Sequence, residues 1–425
     1  MRTPVGPLLQ DLAAEIPEPD LAARTWVAGR RRVARRRRVA AAAVAGAAVV
    51  AAVALGAAQL RQTPTAAPVP GHGGTPAAYQ PAHVVVDGTT VDLAPDPLQE
   101  SELPPLPQAS DISLPGRLGF AADATLPRLA DLGGLAQPVR AVLLRHVDGG
   151  ASHPVLYVPD RRDGAYVEDD SVTLRPLTDA DGYSFAYLGP STIAEDRHRM
   201  AFIQPDAVLV LDARDGSTHS WPVPDRLLSG GWSRDGHSVV VEGVASTWRV
   251  DASTGAVTRV SGQAFPGRAR LVSSTSGSPV LETARADGAR ADARPAPDGA
   301  TGWWGETVTN LEGWSVSGAF LSPPVTATAA SYQGLYAVQF DVSAHARVLA
   351  APDTPGVPKG SVEARGWAPQ DVVLFTSRTF SDPGTTTTLR LLAWDVIDGR
   401  LWRVSELGPV SSLPGGFTGD VALSP

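Results

Sequence analysis

Eight histidines, ten tryptophans and a recurring Asp-x-x-Asp-Gly group are the residues of this 425-residue chain whose types suit chemistry. The histidines stand at 72, 83, 146, 153, 198, 219, 237 and 345, and no two share the i, i+2 or i, i+4 spacing with which one element grips a metal. Asp179-Ala-Asp181-Gly182 opens like a calcium loop, but no Glu closes it at the twelfth position, so it reads as a turn. Nucleophile elbows, H-E-x-x-H, P-loops and dinucleotide fingerprints are absent. With no cysteine there is no disulfide, thiolate zinc site or Cys nucleophile. The expectation is a chain without catalytic residues, metal or cofactor, hence not an enzyme.

Tryptophan is the more suggestive type. Trp221, Trp232, Trp248, Trp367, Trp394 and Trp402 fall on or beside apolar runs, where packing is the default. Trp303 and Trp304 instead follow a stretch, Thr283 to Trp304, whose Ala, Arg, Asp and Pro content predicts a long exposed loop. Trp314 comes shortly after. Exposed loop aromatics grip sugars, peptides or partner surfaces, so Trp303, Trp304 and Trp314 are the candidate ligand-binding residues.

The elements that must position them repeat. Val208 to Leu211 leads into Asp212-Ala-Arg-Asp215-Gly216, Trp248 to Val250 into Asp251-Ala-Ser-Thr254-Gly255, and Leu391 to Trp394 into Asp395-Val-Ile-Asp398-Gly399. Val155 to Val158, through Pro159, leads into Asp160-Arg-Arg-Asp163-Gly164, and Tyr336 to Phe340 precedes Asp341 without the glycine. In each, a strand ends, the Asp accepts hydrogen bonds from the turn's own amides, and Gly takes the positive φ that closes a hairpin. These aspartates are therefore turn formers. With one degenerate unit near residue 296, they recur on average every 47 residues or so, a period that predicts a β-propeller. Six blades are expected, or seven if residues 111–136 form strands of their own. The C-terminal run from Gly419 is expected to complete the first blade, whose other strands begin near Val139, and so close the ring.

Trp232-Ser-Arg-Asp-Gly-His-Ser-Val-Val-Val resembles the W-S-P-D-G repeat of TolB-like and WD40-like propellers, with Arg234 where proline is usual. Gly366-Trp367-Ala-Pro369-Gln-Asp371-Val-Val-Leu is a looser copy. The resemblance spans roughly residues 137 to 425 and implies the fold; such rings serve as binding platforms as well as enzymes.

Charge divides the chain. Up to Arg61 ten arginines stand against four acidic residues, a net of +6, which leaves −14 for the remainder of a chain whose formal total is −8. An acidic body is a poor partner for a phosphate backbone, so nucleic acid is not expected. Val39 to Leu60 is 22 residues without a charge, rich in Ala and Val. As a helix it would be roughly 33 Å long, enough for a hydrocarbon core of about 30 Å. Arg35, Arg36, Arg37 and Arg38, with Arg30 to Arg32 before them, set its direction, since such clusters stay on the cytoplasmic side. A cleaved leader with Gly56 and Ala58 before the cut is the competing reading. The expected organisation is a cytoplasmic Arg-rich segment (1–38), a single transmembrane helix (39–60), a Pro/Gly-rich stalk (61–110) and an extracytoplasmic all-β propeller (111–425).

The opening segment, with Leu8, Leu9, Leu12 and Ile16 at helical spacing, then Pro-Glu-Pro-Asp20 and the Arg run, also resembles actinobacterial membrane proteins associated with extracytoplasmic-function sigma factors. It lacks the His and Cys pattern of many anti-sigma factors. The leading reading is thus a membrane-anchored, non-enzymatic propeller binding an extracytoplasmic protein or glycan. A transmembrane regulator linked to a sigma factor at the cytosolic segment is the alternative, and a propeller enzyme the third.

Overall fold

The computed structural model describes residues 78–424, apart from residues 98, 108–111, 160, 162–164, 179–183, 186, 275, 330, 340–344, 352–358, 369–370, 383–384 and 412. Within them the chain forms seven sheets: six are blades built on antiparallel neighbouring strands, and Leu177–Thr178 pairs with Ser184–Phe185 in a seventh of two strands. Blade three is the most regular: Leu227–Trp232, Ser238–Gly243, Thr247–Asp251 and Val257–Arg259 pair in that order. Blade two comprises Arg199–Ile203, Ala207–Asp212 and Ser217–Pro222, its innermost position taken by the segment around Ile193, which bridges to Met200. Blade four holds Ala269–Ser273, Pro279–Ala284 and Arg290–Pro295. Blade five holds Ala300–Thr309, Trp314–Leu321, Gln333–Gln339 and His345–Ala350. Blade six holds Lys359–Ala368, Val372–Asp382, Thr385–Asp395 and Leu401–Leu407.

Blade one closes the ring. Its inner strand is the C-terminal Phe417–Leu423, which pairs antiparallel with Ala141–His146, followed outward by Ser152–Tyr157 and Tyr166–Glu168. The fold is therefore an all-β, six-bladed propeller closed by a strand shared between the two ends of the ring. Residues 111–136 supply no seventh blade. Arg117–Leu118 adds in parallel to the outer edge of blade six, and Leu129–Leu132 is one helical turn.

The turns follow the expected chemistry. Asp212 Oδ1 accepts the Arg214 amide at 2.9 Å, Asp251 Oδ1 accepts those of Ser253 and Thr254 at 2.9 and 2.8 Å, and Asp395 Oδ1 accepts the Ile397 amide at 2.8 Å. Gly216, Gly255 and Gly399 have φ of 71°, 72° and 84°. All three turns join the third strand of a blade to its fourth. Asp160 and Asp341 lie outside the described residues, as does the Asp179–Gly182 turn.

Burial on both faces explains the continuous apolar runs. In Ala141–His146, Ala141 and Leu143 pack toward blade six, while Val142 and Leu144 pack toward blade two. Successive strand residues face opposite sides, so each strand feeds two layers between blades. The largest fully buried side chains, Trp394, Tyr336, Phe202, Phe375 and Phe417, all lie in such layers.

Two expectations need correcting. The Thr283–Trp304 stretch is not a long exposed loop: it ends one strand of blade four, forms the next and opens blade five. The region read as a stalk to residue 110 packs on the ring in its described residues between His83 and Leu106. His83–Val86 and Thr89–Leu93 form the expected hairpin over Asp87-Gly88, and its second strand adds in parallel to His345–Ala350 at the edge of blade five. Buried Asp92 pairs there with Arg347 at 2.6 Å and accepts the Trp394 indole N–H at 3.1 Å. Further on, buried Glu100 accepts Ser377 Oγ at 2.7 Å and pairs with Arg390 at 3.3 Å. Proline and glycine density suggested an extended chain, but the carboxylates and valines between them have partners on blades five and six. The segments 1–38 and 39–60, with Arg35, Arg36, Arg37 and Arg38, lie outside the described residues. Among the described residues no helix is long and apolar enough to cross a membrane.

Candidate functional site

The inner strands of three consecutive blades each break register at a point that carries a charged residue. In blade five the ladder slips between Trp304 and Val308, where Gly305 at φ 67° precedes Glu306. In blade six it slips between Ala364 and Gly366, at Arg365. In blade one it slips between Phe417 and Val421, where Gly419 at φ 91° precedes Asp420. A bulge inserts one residue and re-aims its side chain, which is how an otherwise apolar strand turns a charge away from the packed layers.

Glu306 and Arg365 reach the inner segment of blade two, which in a ring of six stands opposite blade five. The Tyr187 hydroxyl donates to Glu306 Oε1, and the Ser191 amide donates to Glu306 Oε2 at 3.3 Å. Arg365, 8% exposed, donates from Nη1 to the Leu188 carbonyl at 3.1 Å, from Nη2 to Glu363 at 2.5 Å and from Nε to Thr376 Oγ1 at 3.3 Å. Ser191 in turn gives its carbonyl to the Trp232 amide of blade three at 2.9 Å. The approach is close at Gly189, where an added Cβ would meet the Glu306 carboxylate at 2.5 Å and push that side chain aside.

Burial pushes the Glu306 carboxyl up to about 7, against the opposing pull of the Ser191 amide and the Arg365 charge. Burial likewise raises Asp420, offset in part by Arg378, by Arg365 and by the Thr418 hydroxyl, which donates to it at 3.0 Å. The cluster can hold and release a proton near neutrality beside a fixed guanidinium. Among the described residues no group of three or more His, Asp and Glu side chains is arranged to hold a metal.

A second feature is a cleft of about 400 Å³ between blades four and five. Four separate parts of the chain build it: the Val86-Asp87 turn, the Ser276–Ser278 turn, Asp298 with Ala300 and Thr301, and Ser322 with the start of the short helix Pro323–Ala329. Hydroxyls and two carboxylates line it, with Val86, Pro324 and Val325 as the apolar part.

The structure turns the candidate tryptophans inward, contrary to the exposed-loop expectation. Trp303 and Trp304 are consecutive on the inner strand of blade five and so face opposite layers. Trp303 meets Tyr336 edge-on, with ring centroids 5.3 Å apart. Trp304 meets Phe320 at 4.7 Å and donates its indole N–H to the Val362 carbonyl at 2.8 Å, anchoring blade five to blade six. Trp314 is 4% exposed. No single surface holds the three together. Glu306, Glu363, Arg365, Asp420 and Tyr187 escaped sequence reasoning because they are far apart in the chain. The available signal was a charged residue beside a glycine inside an apolar strand, as in Gly305-Glu306, Arg365-Gly366 and Gly419-Asp420.

No protein-family model matches the chain, and no curated protein does. Among solved structures it is similar to a putative TolB from Agrobacterium tumefaciens, at 13% identity over 56% of this chain and 85% of that one, with a TM-score of 0.35. It is also similar to the β-propeller domain of the trilobed protease from Pyrococcus furiosus, at 12% identity over 66% and 95%, with a TM-score of 0.34. A third similarity is to dihydro-heme d1 dehydrogenase NirN, at 14% identity with a TM-score of 0.30; 62% of this chain matches 57% of that one. At such scores the ring rests on this chain's own strand pairing.

Proposed function

We propose that the chain is a membrane-anchored ring that binds a hydroxyl-rich ligand, a glycan or the polar face of a protein, outside the cytoplasmic membrane, without chemistry of its own. The cleft between blades four and five carries this reading. Its volume of about 400 Å³ falls within the range of roughly 300–1,000 Å³ typical of small-molecule sites. Ser276, Ser278, Thr301 and Ser322 offer donors and acceptors, while Asp87 and Asp298 offer acceptors, the pattern that recognises a polyol rather than an anion. The Arg run before the uncharged 39–60 segment supports the anchoring and its direction.

Titrating the full chain with a panel of neutral oligosaccharides tests the cleft. Saturable quenching of tryptophan fluorescence is expected, weakened at least tenfold in Asp298→Ala, with Trp304→Ala retaining binding. Binding unchanged by Asp298→Ala and by Ser278→Tyr, which would fill the cleft, overturns the assignment. The alternative, a sigma-factor-linked regulator, would show instead as specific capture of a sigma factor by residues 1–38.

A further inference from the structure

The cleft between blades four and five is completed by a turn that belongs to neither blade's own strands. Asp87 stands at the tip of the hairpin formed by His83–Val86 and Thr89–Leu93, with φ of 48°, and Gly88 follows at 81°. Two consecutive residues at positive φ make a tight turn whose twist matches the strands it joins. Through Val86 and Asp87 this turn lines the cleft.

The hairpin is fastened to the ring along one of its two strands. Thr90 to Leu93 pair in parallel with Arg347 to Ala350, while His83–Val86 is the outermost strand of that sheet and leaves Val85 68% exposed. Val84 and Val86 pack on the cluster that contains Val325 of the short helix. The turn lies past the end of the parallel ladder. There Thr89, itself buried, donates from Oγ1 to the Asp298 carbonyl at 3.0 Å. The neighbouring Pro297 carbonyl accepts the Tyr336 hydroxyl of blade five at 2.7 Å. Asp298 is thus held by blade five on one side and by the hairpin on the other, and the two carboxylates of the cleft flank the Thr89 bond.

We propose that this turn is the movable wall of the cleft, and that a neutral polyol bridging Asp87 to Ser276, Ser278 and Asp298 clamps the hairpin onto the ring, a regulation that rests on the polyol reading of the cleft. Sugar hydroxyls donate to Asp87 on the hairpin and to Asp298 on the ring, so each bound sugar adds hydrogen bonds across the seam that the Thr89 bond crosses. Binding in the cleft and docking of the hairpin are then one linked equilibrium, and linkage is reciprocal: whatever loosens the hairpin weakens the sugar by the factor with which the sugar tightens the hairpin. Thr89 is a positioning residue here. It does not line the cleft and acts through the backbone of Asp298.

The test follows hydrogen exchange of residues 84–92 in the full chain, with and without a saturating neutral oligosaccharide from the panel above, while tryptophan fluorescence reads the affinity. Bound sugar is expected to slow exchange of the hairpin about fivefold or more. Exchange of Ser238–Gly243 in blade three, remote from the cleft, should stay unchanged. Thr89→Val, which removes the bond and keeps the shape, should speed exchange of the hairpin without sugar and weaken the sugar about tenfold. Asp92→Asn, which loosens the other end of the hairpin without touching the cleft, should weaken the sugar in the same direction. Binding that leaves exchange of residues 84–92 unchanged overturns the movable wall while leaving the polyol site standing, and so does an affinity that neither variant moves. Failure of every sugar in the panel to bind removes the polyol site and the clamp together. Asp92→Asn decides the matter if Thr89→Val does not fold.

Discussion

At the level of single residues, the charges of this chain divide into those that fasten its outer segment and those that gather on its axis. Asp92 is fully buried against Arg347 and the Trp394 indole, so removing its carboxylate leaves the mostly buried Arg347 guanidinium with the Ile397 carbonyl but no counter-charge there. Asp92→Ala should cost about 3–5 kcal/mol, read as a lowered urea midpoint. Asp92→Asn, which keeps an acceptor for Trp394, should cost less. The turn aspartates behave differently. Their role was legible in the sequence because an Asp followed by a glycine four residues on is a local device, and Asp212, Asp251 and Asp395 perform it. The axial residues were not legible: Glu306, Arg365 and Asp420 are 59 and 55 residues apart, and only ring closure brings them near one another. The tryptophans misled for a related reason. Composition marked Thr283 to Trp304 as polar and broken, yet alternation within Ala300–Thr309 sends Trp303 and Trp304 into the layers on either side.

At the level of elements, the blade period was readable because blades two, three and six repeat one hairpin turn, and the closing strand was readable because the run from Gly419 had no partner nearby in sequence. Phe417–Leu423 buries Phe417, Val421, Ala422 and Leu423 between blades six and two. A chain ending at residue 415 therefore loses four buried apolar side chains and the inner edge of blade one. It should lose its cooperative thermal transition and bind a hydrophobic dye while retaining β-sheet circular dichroism. The hairpin 83–93 was predicted correctly as a hairpin and wrongly as an interruption in a stalk. Its valines and Asp92 have partners 255 residues away, a pairing that no local pattern encodes.

At the level of the whole molecule, the proposed function pairs a six-bladed ring with an N-terminal segment whose composition suits a membrane span. The proposed placement outside the membrane would give the acidic excess of the ring and its polyol-suited cleft a common setting. The absence of native cysteine allows a direct test, because a single introduced thiol has no competitor. Leu311, 80% exposed on a turn of blade five, is a suitable position. In intact cells expressing the full-length Leu311→Cys chain, a membrane-impermeant maleimide is predicted to label the protein without lysis, while the same reagent leaves Thr3→Cys unlabelled until the cells are opened. Labelling of Thr3→Cys in intact cells, or protection of Leu311→Cys until lysis, would contradict a ring anchored outside the cytoplasmic membrane.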